Sequence, residues 1–123
     1  MFGKPLHDVE YSDIVRFLES GVREGMVLEF KRDFPADLEK PLAAFANTYG
    51  GIVLIGVTET VSGAAALPVG GVELKPGLRE RVIQKALDAI HPPLLPEVHV
   101  VEFRSDPSLD EPDRAIVVVS VAE

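Results

Sequence analysis

Two carboxylates and an ammonium group stand close together in Glu24-Gly25-Met26-Val27-Leu28-Glu29-Phe30-Lys31. Met26, Leu28 and Phe30 alternate with Glu29 and Lys31 in the period-two pattern of a half-buried strand, which puts Glu29 and Lys31 on the face opposite Leu28 and Phe30. Glu24 would point away from Glu29, but Gly25 permits a bend that turns its carboxylate back. Two such carboxylates are what Mg²⁺ or Mn²⁺ takes from a protein when waters and a phosphate fill the other octahedral positions. The same residues also read as a solvated strand face carrying an exposed Glu–Lys pair.

A second block, Ala43-Ala44-Phe45-Ala46-Asn47-Thr48-Tyr49, passes through Gly50-Gly51 into Ile52-Val53-Leu54-Ile55-Gly56-Val57. Leu38, Leu42, Phe45, Ala46 and Tyr49 recur at helical spacing and Pro41 suits a first turn, so the pattern predicts a helix over Pro41 to Tyr49, ended by the two glycines. Asn47, one turn before them, could bind a loop carbonyl or a ligand phosphate with its amide. Gly51-x-x-x-x-Gly56-Val57-Thr58 imitates a P-loop, but valine replaces the lysine and the residues between the glycines belong to a buried strand. Their amides are needed in a sheet ladder, so ATP binding by that route is not expected. His7, His91 and His99 lack zincin spacing and there is neither a cysteine nor a nucleophile elbow, which sets aside histidine-zinc, thiol and serine-triad chemistry.

The elements that must position these residues are readable in outline. Ser12 before Ile14, Val15 and Leu18, with Asp13 in the first turn and Gly21 beyond the end, predicts a short capped helix. Residues 58–76 read as a loop or loose hairpin over the site. Leu78, Val82, Ile83, Ala86, Leu87 and Ile90 form one stripe of a helix that His91, Pro92 and Pro93 stop. Val98, Val100 and Phe103, then Ile116 to Val121, read as a hairpin closed by the acidic turn Ser105 to Asp113. This order predicts a two-layer α/β or α+β domain, a mixed sheet with helices packed on it, over residues 1–123. One core should contain Leu28, Phe30, Phe45, Ile52, Leu54, Val82, Leu87, Ile90 and Val118.

Charge limits the partners. Twelve Lys and Arg against twenty Asp and Glu leave a net charge of −8 over 123 residues, which repels nucleic acid unless the cations gather on one face. Lys31, Arg32 and Lys40 on one segment, with Arg79, Arg81 and Lys85 on another, are the available material. The longest apolar run is too short to span a bilayer, no secretory signal is visible, and the lack of cysteine fits the cytoplasm.

Glu24-x-x-x-x-Glu29-Phe30-Lys31, then Ala44-Phe45-Ala46-Asn47-Thr48-x-Gly50-Gly51-x-x-x-x-Gly56-Val57, then Ile90-x-Pro92-Pro93 before a strand pair, closely resemble the Schlafen AlbA_2 domain. The resemblance implies a two-layer α/β domain described as a DNA-binding or nucleic-acid-binding module, often fused to regulatory regions. Some bacterial relatives carry an older label as divergent AAA-type ATP-binding proteins, and in eukaryotic Schlafen relatives the domain is a metal-dependent endoribonuclease acting on transfer RNA. Carried over by motif, Glu24 and Glu29 match the paired glutamates, with Mg or Mn as the implied metal, and Lys31 matches the lysine that follows. The family's third acid has no firm counterpart; Glu59 and Glu73 are the candidates. The resemblance also implies a further strand with tyrosine and arginine beyond Glu123, so the sequence reads as a shortened member or as part of a longer protein.

Three functions are therefore expected in order. The first is a regulatory nucleic-acid-binding module, for DNA or RNA, contacting its ligand weakly through Lys31, Arg32, Lys40 and Asn47 unless a homodimer doubles the patch. The second is a divalent-metal-dependent ribonuclease using Glu24 and Glu29. The third is a structural or dimerisation domain, suggested by the apolar stretch Ile116 to Val121 as an open sheet edge.

Overall fold

The computed structural model describes residues 1–89 and 95–122. After a 3₁₀ turn at Leu6–Asp8 the elements are α1 (Tyr11–Glu19), β1 (Leu28–Lys31), α2 (Glu39–Ala46), β2 (Gly51–Ile55), β3 (Val72–Glu73), α3 (Leu78–Ala89), β4 (Glu97–Phe103) and β5 (Arg114–Val121). They form an α+β fold with helices packed on a mixed five-stranded sheet, as the element order predicts. No helix among the described residues is long and apolar enough to cross a membrane.

The last strand organises the sheet. β5 pairs antiparallel with β4 from Arg114 to Ser120, with β2 from Val117 to Val121, and with β3 through Arg114 and Ala115. The β2 and β3 registers occupy successive stretches of β5, so they share one of its sides and β4 takes the other. β1 then adds parallel to β2, Leu28 opposite Ile52 and Lys31 opposite Ile55. The expectation that Ile116 to Val121 forms an open edge is therefore corrected. The apolar run Ala115 to Val119 within it is that of a strand buried on both faces and bonded on both sides.

Burial on both faces also replaces the expected single core with two. Alternate residues divide: Leu28, Phe30, Ile52, Leu54, Ile116 and Val118 pack with Ile14 and Leu18 of α1, while Val53, Ile55, Val117 and Val119 pack with α2 and α3. Phe45 and Val82 belong to this second cluster. In α3 the inward stripe is Leu78, Val82 and Ala86, and Leu87, one residue round the helix, is 42% exposed rather than buried. Ile90, and the stop expected at His91, Pro92 and Pro93, lie outside the described residues.

Local chemistry moves several boundaries. Glu10, not Ser12, caps α1: its side chain accepts the N3 backbone N–H and Asp13 at N3 answers its own N–H, a reciprocal capping box. α2 begins two residues before Pro41, whose missing N–H falls among those a first turn leaves unpaired, and it stops at Ala46 because Gly50 (φ +76°) turns back to donate to Phe45 C=O. Tyr49 is consequently exposed and not part of the stripe. β1 begins at Leu28, leaving Met26 exposed. Residues 58–76 are mostly loop, with β3 inside them. In the β4–β5 turn Asp113 accepts both the Ser105 hydroxyl and its N–H, closing the hairpin across the loop.

Two outcomes follow from this packing. Gly56 has φ +105° and a Cβ there would lie 2.8 Å from Gly71 Cα, so Gly56→Ala should destabilise by about 2–4 kcal/mol from left-handed strain and overpacking together. Gly25 has open space and no left-handed φ, so its bend does not require glycine; Gly25→Ala should be neutral to about 1 kcal/mol stabilising in urea titration. The Ser105 hydroxyl and N–H hold the Asp113 carboxyl below its ordinary value of 3.8. This contribution is present above the unfolded carboxyl's pKa and is lost as pH falls through the lower folded value. Denaturation at stepped pH should show Asp113→Asn less stable than the native chain near neutrality, the gap closing in acid.

Candidate functional site

β1 is bonded to β2 along one side. Ile52 N–H donates to Val27 C=O at 2.9 Å and Gly56 N–H to Lys31 C=O at 2.7 Å, so odd-numbered residues of β1 turn their backbone groups to β2 while Leu28 and Phe30 turn theirs to the open edge. The preceding chain folds back over that edge. Gly25 N–H donates to Leu28 C=O at 3.0 Å, and Glu24 Oε2 accepts the Phe30 N–H at 2.7 Å. Glu24 thus stands in for a neighbouring strand at one position. The use of β2 amides in this ladder is also the reason residues 51–56 cannot cradle a phosphate as a P-loop does.

Glu29 occupies the other face. Its register partner Val53 belongs to the cluster beneath α2 and α3, and Glu29 Oε1 lies 3.8 Å from Lys31 Nζ, the two side chains 31% and 34% exposed. The expected pairing of Glu29 with Lys31 opposite Leu28 is present. Glu29 Oε2 is shielded from solvent with no hydrogen-bond partner among the described residues. It is an orphaned donor oxygen of the kind a hard cation takes.

The third acid does not join them. Glu24 N–H donates to Gly63 C=O, Arg23 bridges Ala64, and Ala65 bridges Glu59, so the 59–65 turn lies beside Glu24 with Glu59 two strand spacings, roughly 10 Å, from the Arg23 segment. Glu73 lies in β3 opposite Arg114. Among the described residues no three His, Asp or Glu side chains come together as a metal centre, so the residues present do not form the three-acid set that the resemblance implies.

Basic groups converge instead at the C-terminal end of β1. Asp33, Phe34, Glu73, Lys75, Arg81 and Arg114 line a cleft of about 290 Å³ between the chain leaving β1, β3 and the first turns of α3. The Arg81 guanidinium lies 4.0 Å over the Phe34 ring. Arg114 Nε and one terminal nitrogen donate to Gly70 and Gly71 C=O, anchoring β3, and Lys85 Nζ donates to Ala36 C=O, anchoring the 32–37 loop. Lys31 and Arg32 lead directly into this cleft, Arg32 pairing with Asp33 at 3.5 Å. Lys40, in the first turn of α2, is exposed and paired with Asp37. Asn47 lies elsewhere: it caps the far end of α2 just before Gly51, four strand residues from Ile55, the partner of Lys31, or roughly 13 Å along the sheet.

Phe34, Lys75 and Arg114 were not legible as site residues. Phe34 directly after Lys31-Arg32-Asp33 was the available signal, an aromatic beside cations; the register that sets Arg114 against Glu73 has no local signature.

The model of the family described as Schlafen, AlbA_2 matches residues 24–123. The fold is similar to the solution NMR structure of the N-terminal domain of a RecG-related protein, named after an ATP-dependent DNA helicase, from Nitrosomonas europaea, with a TM-score of 0.64 and 19% identity. The likeness covers 94% of this chain and 74% of that one. No curated protein matches the sequence.

The geometry assigns Glu24 a measurable structural share. Glu24→Ala leaves Phe30 N–H without its charged acceptor and should cost about 1–3 kcal/mol, whereas Glu24→Gln keeps a carbonyl oxygen and should cost less than half as much in the same denaturant titration. Equal losses in both variants would mean that the carboxylate charge, not the hydrogen bond, matters here.

Proposed function

The chain belongs to the Schlafen AlbA_2 family, and on that premise we propose that it is a nucleic-acid-binding module with a regulatory role. The observation that carries this reading is the convergence of Lys75, Arg81 and Arg114 on one cleft, entered from Lys31 and Arg32, in a chain whose net charge is −8. A phosphate backbone is repelled by the molecule as a whole, so binding depends on cations concentrated locally. Asp33 and Glu73 in the same lining moderate the attraction, which makes the affinity low and strongly salt-dependent. The RecG-related neighbour, whose name refers to a DNA helicase, is consistent with a role on nucleic acid. The ligand is DNA or RNA, and Lys31 and Arg32 are its expected contacts, with Lys40 at the same end of the sheet and Asn47 remote.

Metal-dependent cleavage through Glu24 and Glu29 is the second reading, favoured by the unpartnered Glu29 Oε2. The dimerisation reading loses its support, because the strand that suggested it is central.

Fluorescence anisotropy with single-stranded RNA, transfer RNA and duplex DNA tests the proposal. Binding should weaken between 50 and 200 mM salt (about that range) with a log–log slope of roughly −2 to −3, as for a few phosphate contacts. The double substitution Glu24→Gln, Glu29→Gln should leave affinity unchanged or improved, since it removes negative charge near Lys31. Absence of binding at the lower salt rejects the module. Mn²⁺-dependent cleavage that disappears in the double variant promotes the second reading in its place.

A further inference from the structure

The cleft at the end of β1 is built for something flatter than a phosphate chain. Its lining includes the apolar Val72 and Leu78, Phe34 with the Arg81 guanidinium 4.0 Å over its ring, and the cations Lys75 and Arg114. A volume of about 290 Å³ is at the lower end for ligand pockets and suits one planar group. Two carboxylates, Asp33 and Glu73, also face it and supply acceptors but no donors.

From these features we infer that the cleft receives one unpaired nucleobase of a single-stranded nucleic acid, stacked on the Phe34–Arg81 pair with its phosphate against Lys75. This inference rests on the nucleic-acid reading above and deepens it. Unstacked bases are held on aromatic rings or guanidinium planes, and the Arg81 guanidinium is already held 4.0 Å over the Phe34 ring, so less ordering remains for the ligand to impose. The carboxylates reward a base whose edge presents N–H donors and repel one that presents acceptors alone. In a duplex both base faces are covered by stacking, so the cleft favours single strands.

The test uses oligonucleotides in RNA and DNA form carrying 2-aminopurine at one unpaired position, titrated against the full chain, with a matched duplex alongside. Binding should change the 2-aminopurine emission in the single strand and leave the duplex several-fold weaker. Arg81→Lys keeps the charge but loses the plane, and Phe34→Leu keeps the packing volume but loses the ring. Each should lower single-strand affinity about tenfold, as loss of one stacking platform does. Arg79→Ala, on an exposed position of α3 outside the cleft, should change affinity less than twofold. Circular dichroism verifies that each variant is folded. If the native chain binds with unchanged emission, or if folded Arg81→Lys and Phe34→Leu bind as the native chain does, or if duplex is preferred, the base site is overturned while the binding module stands. If the native chain binds no oligonucleotide, both fail together.

Discussion

The insertion of β5 between β4 on one side and β2 with β3 on the other is the constraint from which the architecture follows. A strand in that position must satisfy its backbone through neighbours on both sides and cover both faces with apolar side chains. Ala115 to Val119 meet the second condition without a polar interruption, and all five are buried. Once both faces are apolar, helices are required on each: α1 and the chain before it on one, α2 and α3 on the other. The short β3 reaches the sheet only through Arg114 and Ala115, and the anchoring of its loop by the Arg114 side chain places Glu73 and Lys75 where the cleft forms.

The far edge of the sheet has a different problem. β1 turns the Phe30 N–H and the Leu28 C=O toward solvent, and an exposed edge invites pairing with another chain. Glu24 and Gly25 occupy those two groups, so the spacing of the two glutamates is produced here by an edge that needs an acceptor on one side and by a strand face that carries Glu29 on the other. The two carboxylates lie near one strand for separate reasons. The two acids have no third partner among the described residues, while the cations Lys75 after β3, Arg81 of α3 and Arg114 of β5 do share a cleft.

The charge distribution links the edge to the cleft. In a chain of net charge −8, long-range attraction to a polyanion is weak, and selectivity must come from contacts made at short range. The Arg81–Phe34 pair is one such contact, because a guanidinium held over a ring offers a plane as well as a charge. Lys85, one helical turn further along α3, fastens the loop that carries Phe34 by its bond to Ala36 C=O. The loop, the ring and the guanidinium are therefore positioned as a unit by α3.

Local patterning in the sequence determined most of the elements. Alternation placed Glu29 and Lys31 opposite Leu28 and Phe30, the apolar run Ile52 to Ile55 had to be a buried strand, and the acidic turn between Phe103 and Arg114 had to close a hairpin. These follow from period-two and period-3.6 burial, which act within a few residues of one another. Only the tertiary structure decided that β5 is central, that the core divides in two, that Glu24 caps an edge, and that Lys75, Arg81 and Arg114 meet around Phe34. Those outcomes depend on strand register and helix placement between segments far apart in the chain, as in the His99 to Val9 contact across 90 residues. No local periodicity encodes them, because register is chosen by how all the apolar faces are covered at once.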